Sequence, residues 1–244
     1  MDNGTKSLVN VLLSVLAPVL VLDHCSTDGP AFYELGTVWA MVIALALPIG
    51  CGVYTFWDTR KVDPITLFGL LGTILTAVVT VYANTGESGA IRTDTPWWYA
   101  AKEALIALLL CGAVLVTARR KDSMLRLFVY SDAIFDIPRI EKAVQENAAQ
   151  PEYGRTLWRA SLMMAGTLFL SAVANFLLAL HFLLPVLDKE PAQQALEYNY
   201  AVSNMTWWGY LVIGVPLLLT LFGVIKFLIR RLEAITSLPS VTMR

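Results

Sequence analysis

The sequence is poor in the residues from which most soluble active sites are built. Two histidines, three cysteines and a charged fraction of 15% stand against 57% hydrophobic residues across 244 positions. A soluble domain of this size rarely shows that balance. The formal net charge of −1 argues against a nucleic-acid partner, because phosphate binding needs a surplus of Lys and Arg on one face. With His24 and His181 alone, a metal site would need carboxylate or thiolate help that the sequence does not place. Cys25, Cys51 and Cys111 are too scattered for a C-x-x-C site, and the last two fall inside apolar runs, where Cys acts as a small packing residue. There is no G-x-x-x-x-G-K loop, no H-E-x-x-H and no intramembrane Asp pair. No catalytic residue and no cofactor is therefore assigned, and an enzyme is not expected; activity on a lipid ranks third among the alternatives.

Apolar sequence is what the chain has in abundance, with a mean hydropathy of +0.61. Windows able to cross roughly 30 Å of hydrocarbon, about 20 residues each, lie near Lys6 to Leu22, Leu35 to Trp57, Ile65 to Ala83, Trp97 to Thr117, Trp158 to Leu184, and Thr206 to Ile229. Backbone groups in lipid must be paired within each span, so the windows predict helices, and the alternation of barrel strands is absent. The expected fold is all-α: a polytopic membrane bundle of about six helices, a single transmembrane domain over 1–244. The first window is read as a retained span, since no small-x-small cleavage site follows it and His24 precedes Cys25 where a lipoprotein signal needs a small residue.

Charge sets the orientation. Arg60, Lys61, the cations from Arg119 to Arg155, and Arg230, Arg231 and Arg244 alternate with segments that carry only Arg92 and Lys189. The positive-inside rule places the first set, and both termini, on the cytoplasmic side. Trp57, Trp97, Trp98, Tyr99, Trp158, Trp207 and Trp208 fall where an interfacial aromatic belt is expected. The segment 119–157 is long enough for structure of its own. Met124, Leu125, Phe128, Val129, Ile134, Phe135 and Ile137 form an amphipathic pattern that stops at Pro138, and a second helix over Arg139 to Gln150 is predicted to start there. It either docks a cytoplasmic partner or anionic lipid, or is a connector packed on the inner headgroups.

Charges inside spans point to function, since each costs at least about 2.5 to 3.5 kcal/mol at the bilayer centre. Lys102 and Glu103 follow Trp97 and Trp98 by about a turn and a half of helix. Asn175 and His181, in the outer half of the fifth span, fall towards the same level. These four are the expected substrate-binding cluster, able to hold a polar headgroup or to pass protons between Glu103 and His181. A second account needs no ligand: Asn175 bonds a neighbouring helix, Lys102 and Glu103 pair at the outer interface, and His181 faces water. Pro48, Gly50, Gly52 and Pro216 are hinge or packing positions. Six spans could form two inverted three-helix repeats. Small-residue faces such as Gly69 and Gly72 serve contacts within one subunit or within a homo-oligomer equally well.

The order of residues resembles the bacterial septation-protein-A-like (YciB-type) inner-membrane family, including its longer, uncharacterised multi-span branch often labelled as transporters. The matching stretches are Leu8 to Pro18, Ala46 to Tyr54 followed by Arg60-Lys61-Val62, Ala101-Lys102-Glu103-Ala104, and Phe169 to Phe176. The resemblance implies a bacterial inner-membrane location and a role in cell-envelope upkeep. The long Arg119 to Arg155 segment departs from the short septation proteins and weighs against septation itself. The leading expectation is a multi-pass protein that binds or transports an envelope-related lipid or small amphiphile, with membrane lipids as partners. The rival is a membrane scaffold with no substrate.

Overall fold

The computed structural model describes residues 16–27, 31–59, 64–86, 90–120, 123–131, 134–238 and 240–242. Regular structure among them is helical: α1 (Ala17–His24), α2 (Thr37–Thr59), α3 (Pro64–Ala83), α4 (Thr95–Thr117), α5 (Met124–Phe128), α6 (Ile137–Glu146), α7 (Gln150–Leu183), a 3₁₀ turn (Leu184–Asp188), α8 (Pro191–Gly209), a π-helical turn (Tyr210–Gly214) and α9 (Val215–Thr236). Most of the expected first span, and the Arg60–Lys61 pair, lie outside the described residues.

Four stretches are long and apolar enough to cross a membrane: Thr37–Tyr54, Thr95–Thr117, Gln150–Asp188 and Pro191–Thr236. Only 11% of the first of these windows is buried within the chain. Trp57 is 75% exposed, Phe222 68% and Leu170 67%. A water-soluble monomer does not present apolar surface on this scale. Among the described residues the fold is all-helical, that of a membrane protein by the length and composition of its long helices, with large apolar side chains turned outwards and small ones, such as Ala40, Ala100, Ala160 and Ala179, inwards.

Two compact units divide the chain: Met1–Ile106 with Asn175–Tyr210, and Ala107–Ala174 with Leu211–Arg244. In the first, Val79, Ala83, Ile91, Tyr99, Ala100, Ala179, Leu183 and Tyr198 belong to one buried cluster. Residues 185–205 lie between the fifth and sixth expected spans, where a connection is expected, yet most of them form helix α8. Pro191 sits in the first turn, where its missing N–H is no loss. Asn199 donates to Ser26 Oγ at 3.0 Å and to the Thr37 carbonyl at 3.1 Å, which fastens α8 to the start of α2. Gln194 accepts from the Ile91 N–H at 2.7 Å and donates to the Lys189 carbonyl at 2.9 Å. α8 is thus a polar-faced helix held by buried side-chain amides, which its low hydropathy concealed.

Within the second unit, Ser123 and Asp136 cap α5 and α6, each accepting from the N–H three residues on. The amphipathic pattern from Met124 to Ile137 is not one helix: α5 stops at Phe128, and Val129, Tyr130 and Phe135 are buried from irregular backbone. Phe135 and Thr242 form an isolated antiparallel bridge. Asn147, just past α6, donates to the Ile235 and Thr236 carbonyls at the end of α9. Those carbonyls have no intrahelical donor of their own. α7 starts at Gln150, eight positions before the expected span, and its 34 residues extend for roughly 50 Å at 1.5 Å per residue.

Candidate functional site

The site is built from two helices that meet the loop between Asn84 and Asp94. Lys102 lies about two turns into α4 from that loop, and Thr76 about two turns back along α3, so the two arrive at one depth, about 10 Å from the helix ends. The Lys102 ammonium donates to Thr76 Oγ1 at 2.6 Å, and the Thr76 hydroxyl in turn donates to the Gly72 carbonyl at 2.9 Å. The Lys102 ammonium also pairs with Glu103 Oε1 at 2.6 Å and stands 3.9 Å from the centre of the Tyr99 ring. An ammonium has three N–H donors. Here two of them meet oxygen and the third side meets a π-face, whose attraction for a desolvated cation reaches about 2 kcal/mol.

The aromatic wall continues onto α8. Tyr99 meets Tyr198 edge to face at 6.2 Å, and the Tyr198 hydroxyl lies 3.4 Å from Thr80 Oγ1. Tyr99 and Tyr198 are 2% and 1% exposed, so this wall is closed. Side-chain exposure in the ion pair is unequal, 7% for Lys102 and 27% for Glu103. Among the described residues Glu103 Oε2 has no hydrogen-bond partner, which makes the carboxylate the open member of the pair and the lysine the enclosed one.

Above the pair, at the loop, Asp94 gathers three donors: the Tyr82 hydroxyl at 2.6 Å, Trp98 Nε1 at 3.2 Å and Arg92 Nε at 3.2 Å. The guanidinium of Arg92 also lies over the Tyr82 ring. The hydrogen bond that the Tyr82 hydroxyl donates, above the other contacts, holds the Asp94 carboxyl below the usual carboxylate range.

Asn175 and His181 do not join Lys102 and Glu103 by any hydrogen bond among the described residues. Asn175 is half-buried; His181 is exposed, with its ring edge-to-face against Phe182 at 5.1 Å. α7 meets the start of α4 through Phe176 instead, whose ring is 6.3 Å from that of Trp97. Six residues at 100° and 1.5 Å each place Asn175 and His181 about 120° apart around α7 and about 9 Å apart along it, so the two share neither a face nor a level. Thr76, Thr80, Tyr99 and Tyr198 are the members that sequence reasoning missed. Tyr99 was within reach of it, three positions before Lys102 and hence on the same helical face.

Pro48 lies inside α2, which continues through it to Thr59. A methyl group added at Gly50 would meet nothing within 4 Å, so Gly50 admits no close backbone approach among the described residues. Gly52 is half-buried. Pro216 falls in the first turn of α9, directly after the π-helical turn, a position at which a missing N–H is tolerated. No family model, curated protein or solved structure matches this chain.

Proposed function

We propose that the protein binds or transports a lipid or small amphiphile of the cell envelope at the Lys102–Glu103 pair, in a bacterial inner membrane that it crosses six times with both termini cytoplasmic. The observation that carries the reading is an ion pair held 7% and 27% exposed inside an apolar helix. Such pairs are often no more stabilising than apolar residues of equal volume, so packing alone gives little reason to keep one. Among the described residues Glu103 Oε2 is the free acceptor, and it suits a ligand headgroup with a hydroxyl or ammonium donor. Lys102 is the positioning residue, fixed by Thr76 and the Tyr99 ring. Asn175 and His181, assigned to the same cluster on depth alone, are not needed by this reading. The resemblance to the septation-protein-A-like family supports the envelope setting, and two inverted sets of three spans are the arrangement that fits a transporter.

A scaffold without substrate is the second reading, favoured by one observation: Lys102 is already fully satisfied within the chain. The two are separated by thermal stability of purified protein against a panel of envelope lipids and amphiphiles. A ligand at a hundred times its Kd stabilises the folded state by about 2.7 kcal/mol. That ligand-induced rise is expected in the wild type and lost in Glu103→Gln, whatever the variant's unliganded Tm. If no amphiphile raises Tm, or if the rise survives the substitution, the binding site is not at Glu103. The scaffold would then be more sensitive to changes around Phe128 and Phe135.

A further inference from the structure

A second site, independent of Glu103, lies along α9. Gly223, Lys226, Phe227, Arg230 and Arg231 line a pocket of about 290 Å³. At 100° per residue they fall within about 140° around the helix, with Gly223 and Arg230 near its centre and Lys226 and Arg231 at its flanks. Lys226, Arg230 and Arg231 are exposed, and none forms an ion pair among the described residues. A methyl group on Gly223 would meet nothing within 4 Å, so the notch ahead of the cations is open. Towards the N-terminus of α9 the surface turns wholly apolar, with Leu218 56%, Leu219 66% and Phe222 68% exposed.

We infer that this pocket binds an anionic phospholipid, its phosphate held by Lys226 and Arg230, Arg231 at the headgroup rim, and an acyl chain lying through the Gly223 notch against Phe227 and Phe222. Charge complementarity selects the headgroup: three unpaired cations face one opening, and a guanidinium fork with an ammonium matches phosphate oxygens. The apolar run that continues from the cations selects a lipid over a soluble phosphate ester. Gly223 lies about 10 Å from Arg230 along the axis, the distance from a headgroup to the upper part of its acyl chain.

The test is thermal stability of the whole protein titrated with phosphatidylglycerol or with phosphatidylcholine of the same chains, with glycerol phosphate as the soluble arm. Phosphatidylglycerol alone is expected to raise Tm, with affinity falling about fivefold for each of Lys226→Gln and Arg230→Gln, since each cation near an anionic headgroup contributes about 1 kcal/mol. These side chains are exposed, so the unliganded Tm should hold. Gly223→Leu fills the notch and should weaken the lipid as well, without unfolding a helix that gains a better helix former. Glu103→Gln should leave the response intact, which keeps the two sites separable. Equal stabilisation by phosphatidylcholine would overturn the charge assignment. Stabilisation by glycerol phosphate that matches the lipid, or a Gly223→Leu variant that binds lipid as well as wild type, would overturn the acyl-chain assignment.

Discussion

At the scale of single residues, the loop between α3 and α4 depends on Asp94. Its carboxylate accepts from Tyr82, Trp98 and Arg92, and its proton affinity is depressed by the first of these above all. A carboxyl whose folded pKa lies below its unfolded value, about 3.9, stabilises the fold fully above that value. The contribution fades as pH falls through the folded pKa. Asp94→Asn should therefore lower Tm at neutral pH, and the gap between variant and wild type should close as the pH is lowered below about 4. A gap of constant size down to pH 3 would show that the Asp94 hydrogen bonds matter only as geometry. Lys102 presents a different case at the same scale. Its depth could be read from Trp97 and Trp98, but its partner Thr76 could not, because nothing in either stretch records which face of α3 turns towards α4.

At the scale of elements, α8 is the helix whose place depends most on a few polar atoms. Asn199 is 1% exposed and bridges Ser26 and Thr37, whereas Asn147, which caps α9, is exposed. Both amides donate twice, so burial decides the difference between them. Losing a buried pair of hydrogen bonds costs about 2 kcal/mol, and an exposed pair is largely replaced by water. Asn199→Ala should lower Tm clearly more than Asn147→Ala. Equal effects in a denaturation series would mean that α8 is held by its apolar contacts alone. The spacing of Gln194, Tyr198, Ala201 and Met205, at i, i+4, i+7 and i+11, does carry the helical period that hydropathy windows pass over. The long apolar helices were legible because lipid imposes their length and composition. The buried amides of α8 were not, because a polar helix and a polar loop share a composition. The Met124 to Ile137 stretch differs in the opposite way: Met124, Leu125, Val129 and Phe135 are buried, but from a five-residue helix and the irregular backbone after it.

At the scale of the whole molecule, the open question is how many of the helices cross. α2, α4, α7 and the α8–α9 run contain windows that are long and apolar enough, while the apolar stretch described for α3 is the shorter Ile74–Ala83. Cations decide between the alternatives, because Arg60 and Lys61 lie between α2 and α3 and Arg119 and Arg120 follow α4. If both pairs are cytoplasmic, as the positive-inside rule requires, α2, α3 and α4 all cross, and the loops on either side of the α2–α3 hairpin face the same compartment. Single cysteines, placed in a chain whose Cys25, Cys51 and Cys111 are replaced by serine and read by a membrane-impermeant maleimide in intact cells, test this directly. Six spans predict that Thr93→Cys and Asp188→Cys are labelled from outside and that Glu146→Cys is labelled only after permeabilisation. Phe32 carries the decision: it is 93% exposed and lies just before α2. If α3 crosses, Phe32→Cys labels from outside together with Thr93→Cys. If α3 does not cross, the two sites lie on opposite faces, Phe32→Cys stays silent in intact cells, and the two inverted sets of three spans fall with it.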